Sequence, residues 1–206
     1  LSSYAFLTPD NLWGLLATTA VWCILSLGAA TIILAGAIDI SLGSLLALSA
    51  GVGGLVLQAP YPASVTIPAG VAAALAVGTL GGLSNAALSL WGRVHPIVVT
   101  LGTMTVYRGL LIALTGGDTI SDLPAAFVRW SSARWLGING SAALGAATAV
   151  LMYLWLARFR SGRHVVAYGS SPTAARQVGI SHPRTWIAAF AVGGLLAALA
   201  GMLELS

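Results

Sequence analysis

The chain has 206 residues, 58% of them hydrophobic and only 7% charged, with a mean hydropathy of +0.93, whereas about a quarter of an ordinary soluble domain is charged. That excludes a soluble catalytic module and leaves an all-α, polytopic membrane helix bundle, one integral-membrane domain over residues 1–206, in a lipid bilayer. The net charge of +4, carried by nine arginines and no lysine, bears on orientation rather than on nucleic acid, which is not an expected partner.

Apolar stretches long enough for a crossing of about 17 to 25 residues number six: 13–35, 42–57, 67–91, 96–115, 141–157 and 186–205. Ahead of the first, residues 1–12 have no basic region leading into a short apolar core, so no signal peptide is expected. Leu1 is not an initiator methionine and the chain stops just after an apolar run, which reads as a fragment of a longer protein. Cys23 is alone, so neither a disulfide framework nor a cysteine metal site is available. No cofactor and no metal are expected.

Between the first two runs stands Ala35-Gly36-Ala37-Ile38-Asp39-Ile40-Ser41-Leu42-Gly43-Ser44. An acid in membrane-like sequence costs roughly 2.5 to 3.5 kcal/mol on insertion scales unless it caps a helix, lines a polar cavity or pairs with a cation. Asp39 or Ser41 can cap the next helix by accepting its free amides, and Gly36 and Gly43 permit an irregular backbone. Deep in the bilayer such a break faces a pathway; at the surface it is only a cap. Both readings stand at this point.

Small-residue stripes suited to close helix packing run through Gly43, Ala47 and Gly51, through Gly78 and Gly82, and through Ala197 and Gly201. The second continues at helical spacing into Asn85 and Ser89, a slender polar face that serves as interhelical glue or as a pathway wall. In the fourth run Pro96 suits the first turn of a helix. Thr100, Thr103 and Tyr107 share one face, and Thr105 and Arg108 a neighbouring one. Arg108 lies roughly 20 Å into the run and needs Asp39, Asp118 or a water-filled vestibule opposite it.

The following loop carries Phe127, Trp130 and Trp135, aromatics that fit a short helix at headgroup level. Residues 158–184 then hold five arginines and no acid, which places this loop in the cytoplasm. Alternating outward puts Arg93 and His95 inside and residues 58–64 and 118–139 outside. Within the arginine-rich loop, Ser171 as N-cap, Pro172 at the first helical position and Gly179 just past the end write out a two-turn helix. So short a helix needs something to dock against.

Taken in order, these motifs resemble the permease subunits of bacterial monosaccharide importers of the ATP-binding-cassette class, the ribose, xylose and rhamnose group. Gly36-Ala37-Ile38-Asp39-Ile40-Ser41-Leu42-Gly43-Ser44 is similar to that family's Gly-Gly-Ile-Asp-Leu-Ser-Val-Gly-Ser, with Ala37 for a glycine. Pro96 through Gly109 resembles its Pro-x-Ile-Val-x-Thr-Leu-Gly-Thr-x-x-x-x-Arg-Gly. Gly162-Arg163 followed by Thr173 through Gly179 resembles its coupling motif, with Thr173 where a glutamate is often found. The family continues through a further glycine-rich region and more spans than this chain has, and usually starts with one more.

The resemblance implies a permease in the cell inner membrane, paired with a second permease copy or a paralogue, gripped by a cytoplasmic ATP-binding-cassette ATPase and supplied by an extracytoplasmic sugar-binding protein. It implies coupling through Pro172, Thr173, Ala174, Ala175, Arg176 and Gly179. Asp39, Ser41, Ser44, Asn85, Thr100, Thr103 and Arg108 would form a translocation pathway or a structural polar cluster. The chain is then not an enzyme and has no catalytic residues: a Walker-type phosphate loop needs a Gly-Lys pair, so ATP chemistry belongs to the partner. A secondary transporter coupled through Asp39, a related permease for a nucleoside and an inert truncated product are the alternatives. An intramembrane hydrolase is disfavoured, because His95, His164 and His182 fall in the connections and no His-Glu-x-x-His helix exists.

Overall fold

The structure, a computed structural model, describes residues 8–135 and 138–206. In chain order its elements are α1 (Pro9–Leu34), α2 (Leu42–Leu57), α3 (Ala63–Gly92), α4 (Pro96–Thr115), α5 (Ala125–Ser132), β1 (Arg134–Trp135), β2 (Ile138–Asn139), α6 (Gly140–Arg158), α7 (Arg160–Ser170), α8 (Pro172–Gln177) and α9 (His182–Glu204). The two short strands pair antiparallel, Arg134 opposite Asn139; everything else is helix or connection, as the composition requires. Helices α1, α3, α4, α6 and α9 are long and apolar enough to cross a membrane, and α2, at 16 residues, is shorter.

α2 measures about 24 Å at 1.5 Å per residue, less than the ~30 Å hydrocarbon core. Both of its ends are tied to neighbouring segments. The amide of Ile40 donates to Thr100, four residues inside α4, while at the far end Gln58 reaches the carbonyl of Ser121 in the connection between α4 and α5.

α9 is the central post. α1, α2 and α3 surround it, and its buried face runs from Thr185 to Leu203. Lipid tails are as apolar as leucine, so helices associate in a bilayer by close van der Waals packing rather than by expulsion from water. Glycines make that approach possible here. A side chain at Gly82 would strike the carbonyl of Phe190, one at Gly78 the carbonyl of Gly194, and one at Gly201 the carbonyl of Leu46. The stripe on α3 thus packs closely on α9, and Asn85 and Ser89 are buried on the same helix.

α4 sits at the edge, packed on α2 and on part of α3. Only Pro96, Thr100, Thr103 and Tyr107 of its length are buried. α6 packs on α1, where Gly145 meets Ala20, and turns Val150, Leu151 and Tyr153 outward. α5 forms where the aromatic loop was expected to, rooting Phe127 against Leu57, Ala74 and Met202; the side chain of Trp135 lies outside the described residues.

Several boundaries differ from the apolar windows. α2 and α4 begin and end with theirs, but α3 starts at Ala63 rather than at 67 and carries Pro68 inside its first turns. α9 starts at His182 rather than at 186, with Pro183 in its first turn, where a missing amide hydrogen is not needed. Hydropathy stops at the first polar residue, whereas helical hydrogen bonds do not. Gly43 proves to be an ordinary helical residue of α2 and takes no part in the break; Gly36 alone of the two uses a left-handed backbone, at φ 76°.

Candidate functional site

α1 ends in a left-handed glycine turn at Gly36, the usual stop for a helix, with the amide of Ala37 returning to the carbonyl of Ile32 at 3.1 Å. The chain then crosses toward α3 and α4, and its polar groups are met one by one. Asp39 Oδ1 accepts from the Ser41 amide at 2.7 Å and from the Ser41 hydroxyl at 2.6 Å. Its Oδ2 accepts from Asn85 Nδ2 at 3.0 Å. The second hydrogen of that amide goes to Ser41 Oγ at 2.8 Å. Of the two expected caps it is Asp39 that accepts an amide, that of Ser41 at the N-cap of α2, while the Ser41 side chain caps no amide of α2.

The cluster continues into α4. Tyr107 OH lies 3.1 Å from Asn85 Oδ1, 2.9 Å from the carbonyl of Gly81 and 2.8 Å from Ser84 Oγ. Thr100 Oγ1 accepts from the Ile40 amide at 3.2 Å, and Thr103 bonds back to the carbonyl of Thr100 at 3.4 Å. Asn85 and Ser41 have no exposed surface, and Asp39 is half-buried. Every hydrogen-bonding atom of the Asn85 side chain is engaged, which is what makes a buried amide tolerable.

Asp39, Ser41, Asn85 and Thr100 are therefore brought together, with Thr103 beside them. Tyr107 and Ser84 join them without having been among the expected site residues. Tyr107 was legible on the face of Thr100 and Thr103; Ser84 had no signal beyond its place next to Asn85. The break lies below the ends of its neighbours, since Asn85 is about 10 Å from the end of α3 and Thr100 about 6 Å from the start of α4 at 1.5 Å per residue.

Arg108 and Ser44 stand elsewhere. Arg108 is exposed on the outer face of α4 and, among the described residues, makes no hydrogen bond and no ion pair. Neither Asp39 nor Asp118 is its partner; Asp39 is turned inward and consumed by Ser41 and Asn85. Arg108 instead lines an open groove of roughly 490 Å³ with Ser44, Met104, Thr105, Gly109 and Ile112. Around it Leu101, Val106, Leu110 and Leu114 are exposed.

The arginine-rich end is built from two helices. α7, which hydropathy alone did not mark, buries Gly162, Val165 and Tyr168 at a spacing of three. α8 follows with Ser171 accepting from the Ala174 amide at 3.4 Å, Pro172 at its first position and Gly179 at φ 81°. The Ile180 amide bonds to the carbonyl of Ala175 at 2.9 Å and turns the chain into α9. Ala175 is the buried root of α8, while Pro172, Thr173, Ala174, Arg176 and Gly179 are exposed and Val178 keeps 76% of its surface.

Residues 11–206 match the family model for the permease component of branched-chain amino acid transport systems. The autoinducer 2 import system permease protein LsrC of Enterobacter sp. (strain 638) is 37% identical over 201 residues, which are 96% of this chain and 57% of that protein. The proteins of the same name from Shigella flexneri and from Escherichia coli (strain K12 / DH10B) are 34% and 33% identical, each over 96% of this chain and 56% of their own length. The chain thus spans a little over half the length of these curated relatives. No solved structure matches it.

Proposed function

The chain belongs to the family of permease components typified by branched-chain amino acid transport systems, and from that membership we propose that it forms the membrane-spanning part of an ATP-binding-cassette importer for a monosaccharide or sugar-like solute in the cell inner membrane. Autoinducer 2 import, the role named for its relatives, falls within that class. The observation that carries the reading is the placement of α8. It stands at the arginine-rich end, with Ala175 buried as its root, Arg176 bonded to Tyr168, and the rest of its surface open to a partner.

In this reading a separate cytoplasmic ATPase grips α8, a second permease copy or paralogue completes the pathway, and a sugar-binding protein delivers solute at the opposite face. ATP-driven closure of the ATPase moves α8, and α9 follows because only four residues separate the two helices. A rigid-body change of this kind opens one face as it closes the other. The family description names branched-chain amino acids and the relatives autoinducer 2, so membership by itself does not choose the solute. The groove on α4 favours a hydroxyl-rich one: it offers Ser44, Thr105 and the donors of Arg108, and no carboxylate to hold an ammonium group.

Deleting residues 172–178, or replacing Ala175→Glu to unseat the root of α8, in the full-length protein abolishes co-purification of the ATPase while membrane insertion stays normal. Recovery of the ATPase with the deletion variant at undiminished yield overturns the reading.

A further inference from the structure

A column of aromatic rings at the arginine-rich end belongs neither to the Asp39 cluster nor to the exposed surface of α8. Tyr168 of α7 stacks on His182, centroids 5.1 Å apart and planes 10° from parallel. His182 meets Trp186 edge-on at 4.4 Å, and Trp186 tilts against Phe190 at 6.2 Å.

Both ends of the column are tied. At one, Arg176 of α8 donates from Nη2 to the hydroxyl of Tyr168 at 3.1 Å. Toward the other, Trp186 Nε1 donates to the carbonyl of Ala35 at 3.2 Å, so the orphan acceptor at the C-cap of α1 is satisfied by a neighbouring helix instead of by water. Phe190 is fully buried and packs with Ala37, Leu42 and Ala86, the two sides of the break and the neighbour of Asn85. α7 grips the same turn from another side, for a side chain at Gly169 would strike the carbonyl of Leu34.

Aromatic side chains have only two torsions and a close-packed interior passes strain on rather than absorbing it. We propose that Tyr168, His182 and Trp186 are positioning residues that carry displacement of α8 to the 36–41 break, so that the Asp39–Asn85 contact changes in step with whatever docks on α8. The inference rests on the reading of α8 as a docking helix.

The test uses the full-length protein, freed of native cysteines and reconstituted with its ATPase, carrying a spin label either on α8 at Val178→Cys or on the break at Ile38→Cys. Both sites are open to a label, at 76% and 47% exposure. With ATPase and a non-hydrolysable nucleotide, both labels change mobility in the parent. Trp186→Ala leaves the α8 response intact and cuts the Ile38 response by about threefold or more, within the range by which residues along a coupling network act. Trp186→Phe keeps the ring but loses the bond to Ala35, and Tyr168→Phe loses only the bond from Arg176; each gives a smaller cut, and either serves if the alanine variant does not fold. A full Ile38 response in all three variants overturns the column while leaving the docking reading in place. A silent Val178 label in the parent overturns the docking reading, and the column falls with it.

Discussion

The two faces of α4 carry the same kinds of residue to opposite ends. On the inner face Thr100, Thr103 and Tyr107 are buried and join the Asp39 cluster, in which each charge and amide has a partner. On the outer face Thr105 and Arg108 are exposed, and Arg108 has none among the described residues. Glycines divide in the same way. Gly78 and Gly82 on α3 touch the backbone of α9, while Gly102 and Gly109 on α4 have no atom within 4 Å of where a Cβ would stand. A polar group satisfied inside the chain is explained by folding; one left open at membrane depth calls for water or for another protein surface.

The contrast is broken most forcefully on the packed side. Gly82→Leu drives a side chain into the carbonyl of Phe190, backbone that cannot swing aside, and over-packing of that kind costs about 3 kcal/mol. Thermal unfolding of the chain in detergent should show a fall in midpoint that Gly102→Leu, on the open face, does not share. Equal behaviour of the two variants would mean that α3 and α9 are not as closely apposed as the structure has them.

Next in size is Asn85→Leu. It strips partners from Asp39 Oδ2, Ser41 Oγ and Tyr107 OH at once. A single interhelical polar pair in a membrane protein averages only ~0.6 kcal/mol, but several orphaned groups, one of them charged, raise the loss to about 2 kcal/mol. The same unfolding measurement checks it. Asp39→Asn in the same background should recover part of the loss, because the uncompensated charge is gone; no recovery would separate Asp39 from Asn85 energetically.

How far the sequence carried these features follows from the physics of each. α2 and α4 were legible to their end residues because their apolar runs end where the helices do, α4 beginning at Pro96 and giving way to the left-handed Gly116. α8 was legible for the same reason, each stop being a local backbone requirement of Ser171, Pro172 or Gly179. α7 was missed: its buried residues Gly162, Val165 and Tyr168 recur at helical spacing, but among arginines and serines they form no apolar run. That Asp39 would choose Asn85 over Arg108 was not legible at all. Asp39 is 46 residues from Asn85 along the chain, and which face of α3 turns toward the break is set by its packing on α9 through Gly78 and Gly82, while α4 is placed by α2 and α3.

The smallest effect on stability is expected from Arg108, and it sharpens the comparison most. In the chain alone the guanidinium touches nothing that needs it, so Arg108→Leu should leave the unfolding midpoint within the ±0.5 kcal/mol typical of surface changes. Were the outer face of α4 bathed in lipid, removing a cation that costs about 2.5 to 3.5 kcal/mol at the centre of a spanning helix would improve insertion and leave uptake untouched. If that face lines an aqueous path or meets a second permease copy, uptake by the full-length assembly should fall by about tenfold, the 1.4 kcal/mol equivalent of one charge-assisted hydrogen bond lost. Arg108→Lys, which keeps the charge but not the planar fork of donors, then tells which property of Arg108 is used. Uptake restored by lysine indicates that a positive charge in water is enough, whereas uptake lost with both variants indicates that the guanidinium itself grips a hydroxylated solute or a partner carbonyl.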